Sequence, residues 1–331
     1  MLAEEIDLWS RFVKDHRSND ENWEHVRKAT EPALAEARAA LASGRRYFAL
    51  QRLSAARVLL SASAYVGERP ENERKDEAAF ERERERMGGV LRANLVTPAA
   101  SAVDGVRPAA GRATAEASLP QVKLYYDTSL EYARNTMPDA GLFYIGEARA
   151  QRELVELCRR LSEAAPGKAP PLRALGPELD ALEARLLAAY QPPASIDRHP
   201  DFIGASSRLK EARELDAAGL RYGTMLRYLQ AVQAVAMLSP VSPSVTPEAL
   251  PARLAELDRA LSVPGVDHTI GRTFLESAQA EIDEKKSALE RTPVIVSEVL
   301  PAYFVALSPA RSAPPRPPAR VTVTLVRWPY T

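Results

Sequence analysis

The chain has 331 residues, and its 44 basic side chains balance 44 acidic ones, so the formal net charge is zero. With no basic surplus to displace counterions, nucleic acid is not an expected partner, and no run reaches the roughly 20 apolar residues of a membrane span. The composition, 46% hydrophobic and 27% charged, is that of an ordinary globular protein rich in helix formers such as alanine, leucine, arginine and glutamate.

Residues 4 to 66 read as four helices. Ile6, Trp9 and Val13 share one face of the first. A polar break before Trp23 supplies capping residues for a short second helix. Pro32 opens a third and Gly44 closes it; a fourth follows at once, so Gly44 marks the turn of a helical hairpin. Residues 71 to 86 are nearly all charge, with opposite signs at helical pairing distances, which predicts a solvated helix. Thr97 to Pro120 is broken by Pro98, Gly105, Pro108, Gly111 and Pro120 and has little apolar periodicity. It reads as a linker, 97–120, between an N-terminal helical block, 1–96, and a main helical block, 121–307.

The main block opens with two helices around a turn at Met137–Gly141. Leu179, Leu182, Leu186 and Leu187 form the stripe of a third, a second hairpin turns at Gly219, and two more helices close the block. Residues 292–307 are apolar and fit helix or strand. Pro309, Pro314, Pro315, Pro317 and Pro318 make 308–320 an extended spacer of polyproline II character. In the final segment, 321–331, Val321, Val323 and Leu325 alternate with Thr322 and Thr324 as in a strand. The expected fold class is all-α: helical hairpins in an irregular repeat array, with an extended Pro-rich C-terminal tail and a short terminal strand.

Two stretches 175 positions apart repeat a phrase. They match at Glu36/Glu211, Ala37/Ala212, Arg38/Arg213, Ala42/Ala217, Gly44/Gly219, Arg46/Arg221, Tyr47/Tyr222, Arg52/Arg227 and Ala56/Ala231. After each glycine, Ala49, Leu53, Ala56 and Leu60, or Thr224, Tyr228, Ala231 and Val235, fall on one helix face. A partial third copy starts at Gly141, where the stripe is Gly146, Ala150, Glu153 and Leu157 and Glu153 breaks it. Around residues 34–60 and 209–235 the phrase resembles the tetratricopeptide repeat: a glycine between two helices, then a small residue, a bulky one and a small one. The family's aromatic two positions past the glycine is Arg46 or Arg221 here, and the spacing is not a regular repeat. The resemblance implies a scaffold that binds other proteins in a groove.

Reactive chemistry is sparse. His16, His25, His199 and His268 show no metal-ligand spacing, and no phosphate-binding loop or nucleophile elbow occurs. Cys158 fits a small core residue rather than a nucleophile. Carboxylate pairs such as Glu281 and Asp283 sit on what reads as a solvated helix. No enzyme, metal or cofactor is expected. Tyr125, Tyr126, Tyr132 and Tyr144 fit either the core of a helix pair or the wall of a pocket. The tail is the expected attachment to a protein partner, through Val321, Val323, Leu325, Trp328 and Tyr330. The expected function is a non-catalytic helical scaffold or accessory subunit of a bacterial complex. The bacterial origin rests on the Ala/Arg/Pro-rich composition. A helical-bundle binder of a small hydrophobic ligand and a shell-encapsulated cargo protein are the rivals. Homo-oligomerisation stays open, and so does the compartment: cytoplasmic, or periplasmic if a leader has been removed.

Overall fold

The computed structural model describes residues 1–16, 21–96, 99–135, 137–191, 196–238, 246, 248–284 and 289–308. Among these residues the fold is all-α, as the sequence leads one to expect, with one two-residue parallel pairing of β1 (Gly167–Lys168) and β2 (Gly265–Val266). The helices in chain order are α1 (Leu2–Asp15), α2 (Glu21–Ala42), α3 (Arg46–Gly67), α4 (Glu71–Arg74), α5 (Glu77–Leu95), α6 (Ala109–Asn135), α7 (Pro138–Arg160), α8 (Gly176–Ala189), α9 (His199–Ala217), α10 (Arg221–Leu238), α11 (Leu250–Leu261), α12 (Thr269–Asp283), α13 (Arg291–Val294) and α14 (Leu300–Leu307). A π-helical turn, Ile295–Val299, joins the last two into one continuous helical run.

The repeated phrase is a repeated hairpin. α2 and α3 turn at Gly44, α9 and α10 at Gly219, and both glycines hold the left-handed backbone, φ 76° and 74°. Each turn closes with the same bond across the helix end: Arg45 N–H to Ala40 C=O at 2.8 Å, and Leu220 N–H to Leu215 C=O at 2.9 Å. Glu36 faces Arg52 at 2.6 Å, and Glu211 faces Arg227 at 2.9 Å, so four of the matched positions form one ion pair per hairpin. Arg38 reaches Asp7 on α1 at 2.6 Å; its counterpart Arg213 reaches Asp180 on α8 at 2.8 Å. Ala49, Leu53, Ala56 and Leu60 are buried, as are Thr224, Tyr228, Ala231 and Val235.

The duplication extends beyond the hairpins to a six-helix unit. α1 packs on α2 and α3 as α8 packs on α9 and α10. α5 packs on α6 and α7 as α11 packs on α12 and the helical run after it. α7 lies along α3 as that final run lies along α10. A second repeated phrase, 160 positions apart, leads into α6 and α12: Val103, Gly105, Val106, Gly111, Arg112 and Glu116 match Val263, Gly265, Val266, Gly271, Arg272 and Glu276. Both copies make the same β-turn, Val106 N–H to Val103 C=O at 3.2 Å and Val266 N–H to Val263 C=O at 3.4 Å. The third turn position is Gly105 or Gly265, at φ 84° and 80°, which a type II turn requires.

Four expectations are corrected. Residues 109–120 are not linker: they are the first half of α6, and Ala113, Ala115, Glu116 and Leu119 are fully buried. α6 packs on α3, α7, α9, α10 and α12, so the residues of this first half are mostly small and show no one-sided apolar stripe. The core accordingly runs from Ile6 to Ala306 without a break between the two expected blocks. The second and third helices are one, α2, with Pro32 inside it. The charged stretch is two helices, α4 and α5; Asp76 caps α5 by accepting Ala78 N–H at 3.1 Å and Ala79 N–H at 3.2 Å, and Phe80, Met87 and Leu91 are buried. Gly141 is no turn. It lies inside α7, where a Cβ would stand 2.7 Å from Ser129 O and from the Phe80 ring, so it serves close packing instead. Apart from Ser308, the spacer 308–320 and the whole terminal strand 321–331 lie outside the described residues.

Candidate functional site

Where the two six-helix halves meet, each completes the other. Glu276 on α12 accepts the N–H groups of Tyr47 (2.9 Å) and Phe48 (2.8 Å) at the start of α3. Glu116 on α6 accepts the N–H of Gly223 (2.9 Å) at the start of α10 and pairs with Arg112 at 2.9 Å. Thus a glutamate from each half caps the corresponding helix of the other, the reciprocity expected of two-fold-related contact. At the centre Asp267 joins both halves: it accepts Ala109 N–H at 2.8 Å on α6 and Thr269 N–H at 3.1 Å on α12.

Most buried acids of the described residues are therefore committed to helix starts. Glu281, expected on a solvated face, is buried and takes the N–H groups of Glu290 (3.2 Å), Arg291 (3.1 Å) and Thr292 (2.7 Å) at the start of α13. Burial alone would push its carboxyl up; the Thr292 hydroxyl and these N–H groups outweigh that and hold it below the usual range. For Glu276 burial wins over the same kind of donor, and its carboxyl is pushed up to about 7. Burial also pushes the Cys158 thiol up to about 12, which leaves it inert in the core.

A cleft of about 570 Å³ opens along this seam. Its walls are corresponding positions of the two hairpins: Arg52 and Arg227, Ala55 and Gln230, Val58 and Gln233 all border it. Ala117 of α6 and Ser277 of α12 correspond in the same way. No family model, curated protein or solved structure matches this chain. The chemistry of the cleft has to come from its own side chains.

Glu147 stands apart from the other buried acids. It projects from α7 into the cleft at 6% exposure and has no hydrogen-bond or ion-pair partner among the described residues. Burial alone pushes its carboxyl up to about 7. Gln151, one turn on and 8% exposed, and Ser277, 6% exposed, also border the cleft with no partner among the described residues. Their polar atoms are not sealed into the core but face the open cleft. Gly146 fixes the backbone beside Glu147, because a Cβ there would lie 2.9 Å from Ala62 Cα of α3.

Of the four tyrosines weighed as a pocket wall, Tyr125 borders the cleft. The rings of Tyr132 and Tyr144 meet at a tilt of 42° with centroids 4.4 Å apart, and the Tyr126 hydroxyl donates to Arg84 C=O at 2.9 Å. Val321, Val323, Leu325, Trp328 and Tyr330 lie outside the described residues. The sequence reading missed Glu147, Gln151 and Ser277. The second repeated phrase points to Ser277, which directly follows it on α12, whereas Glu147 and Gln151 lie on α7 outside it.

Proposed function

We propose that the protein is a non-catalytic helical scaffold that seats a polar group of a partner in the cleft between its halves, with residues 321–331 as a second attachment. The observation that carries this reading is the set of buried polar side chains, Glu147, Gln151 and Ser277, bordering a cleft and lacking partners among the described residues. Their polar atoms face the cleft rather than the sealed core, so a polar group of a partner can reach them. A non-catalytic role fits the use of the remaining buried acids, whose oxygens are taken up by helix N–H groups rather than facing a substrate. A small hydrophobic ligand is the weaker reading, because it would leave these polar groups desolvated and unpaired.

The test is affinity capture with three forms of the chain: the parent, a chain ending at Ser308, and Ala55→Trp, which places an indole in the cleft from an exposed position on α3. One partner retained by the parent and weakened by both changes supports the proposal. Capture that survives Ala55→Trp undiminished removes the cleft from it.

A further inference from the structure

We propose that the cleft is a recognition site for a primary ammonium group, with Glu147 as its anchor. This rests on the reading of the cleft as a binding site. Glu147 and Gln151 of α7 and Tyr125 of α6 border the cleft, and each can offer an acceptor oxygen: a carboxyl, an amide carbonyl and a hydroxyl. An ammonium carries three donors and no acceptor, which matches that set.

Charge points the same way. The arginines that border the cleft are mostly neutralised by partners behind it: Arg52 by Glu36 at 2.6 Å, Arg227 by Glu211 at 2.9 Å and Arg291 by Glu281 at 3.6 Å. Arg208, exposed, is the guanidinium of the lining without an acidic partner among the described residues. Burial first, and then the charges of Glu147 and Glu211 against that of Arg227, push the Tyr125 hydroxyl up. No such cation serves Glu147, whose carboxyl is displaced by burial with no opposing charge. A bound ammonium would supply the missing one and hold the carboxylate ionised.

Recognition has a proton signature. The site binds the ionised carboxylate, so below neutral pH each binding event releases about one proton to the buffer. A group that merely lines the wall would release none.

Titration calorimetry on the full chain tests this with putrescine and with an acetylated lysine amide as probes. Butanediol and succinate serve as the uncharged and anionic controls. The expected result is binding of an amine, with proton release seen as a dependence on buffer ionisation enthalpy, and no binding of butanediol. Glu147→Gln should weaken the amine by roughly ten-fold or more, as loss of a charge-assisted bond implies, while circular dichroism and melting temperature show the fold intact. Tighter binding of putrescine than of the lysine amide assigns the site to a free amine; the reverse assigns it to a lysine side chain of a partner. Gln151→Leu is the second variant and should also weaken the amine. Equal or tighter binding of butanediol or succinate overturns the proposal, as does unchanged affinity in Glu147→Gln or no binding of either amine. In those cases loss of partner capture in Ala55→Trp would still stand for the cleft itself.

Discussion

At the scale of single residues the informative contrast is among glutamates. Glu116, Glu276 and Glu281 are buried and each holds the start of a helix, while Glu147 is buried and holds nothing among the described residues. Its carboxyl is raised from an ordinary 4.5 to about 7. A raised carboxyl binds its proton more tightly when folded, so it costs no stability below about pH 4.5, where both states are protonated. The cost grows as pH rises through the window from 4.5 to about 7 and is complete above it. Its ceiling is on the order of 3 kcal/mol. Glu147→Gln keeps the shape without the charge. It should therefore be more stable than the parent by roughly 1–3 kcal/mol at pH 8 and equal to it near pH 4. Urea midpoints measured across that range decide the matter, and a parallel loss at every pH would show that the side chain stabilises the fold through contacts that do not depend on its charge. The second repeated phrase pairs Glu116 with Glu276, but nothing in the sequence separates Glu147 from Glu281. On a helix, what a glutamate does depends on which helix start lies opposite, and Glu281 was read as solvated for that reason.

At the scale of elements, sequence and structure agree where a helix has one apolar face and a glycine to end it. The hairpins at Gly44 and Gly219, and the α1 and α8 stripes of Ile6 and Val13 or Leu179, Leu182 and Leu186, are of this kind. They part at α6, whose first half is buried on every side and so carries alanine and glycine where a stripe would be. Pro120 and Pro108, taken as breaks, lie within that helix and just ahead of it. The cleft was not legible because its walls come from helices far apart in sequence. Two predictions belong here. A side chain at Gly44 or Gly219 has open space around it but an unfavourable φ. Gly44→Ala and Gly219→Ala should therefore each cost about 1–2 kcal/mol by denaturant titration. A neutral result would mean that the turn can relax out of the left-handed region. Glu276→Ala strips the start of α3 of its acceptor and leaves the N–H groups of Tyr47 and Phe48 buried and unpaired. About 1–3 kcal/mol should be lost. Glu116→Ala should lose a similar amount through α10, and strongly unequal losses would show that the two caps are not equivalent.

At the scale of the whole molecule, duplication and exchange together set the cooperativity. Each half carries a helix start that is satisfied by a glutamate of the other, and Asp267 holds the starts of α6 and α12 at once. Separated, each half would expose those donors together with the apolar faces of α3, α6, α10 and α12 that now form one core. The two halves should thus unfold as one unit even though their internal packing is repeated. The distribution of tryptophan makes this measurable. Trp9 and Trp23 sit in the first half, and Trp328, in the tail, can be replaced by phenylalanine. In that Trp328→Phe chain the fluorescence reports the first half alone. Ala231→Leu then overpacks a fully buried position of α10 in the second half, at an expected cost of about 1–3 kcal/mol. If the halves are coupled, the urea midpoint seen by Trp9 and Trp23 should fall by the same amount as the midpoint seen by far-ultraviolet circular dichroism. Ala56→Leu, the corresponding change in the first half, should give the same coincidence. A fluorescence transition that stays in place while the dichroism transition moves or splits would mean that the halves fold independently. The reciprocal caps would then be contacts between two finished domains rather than part of either one's folding.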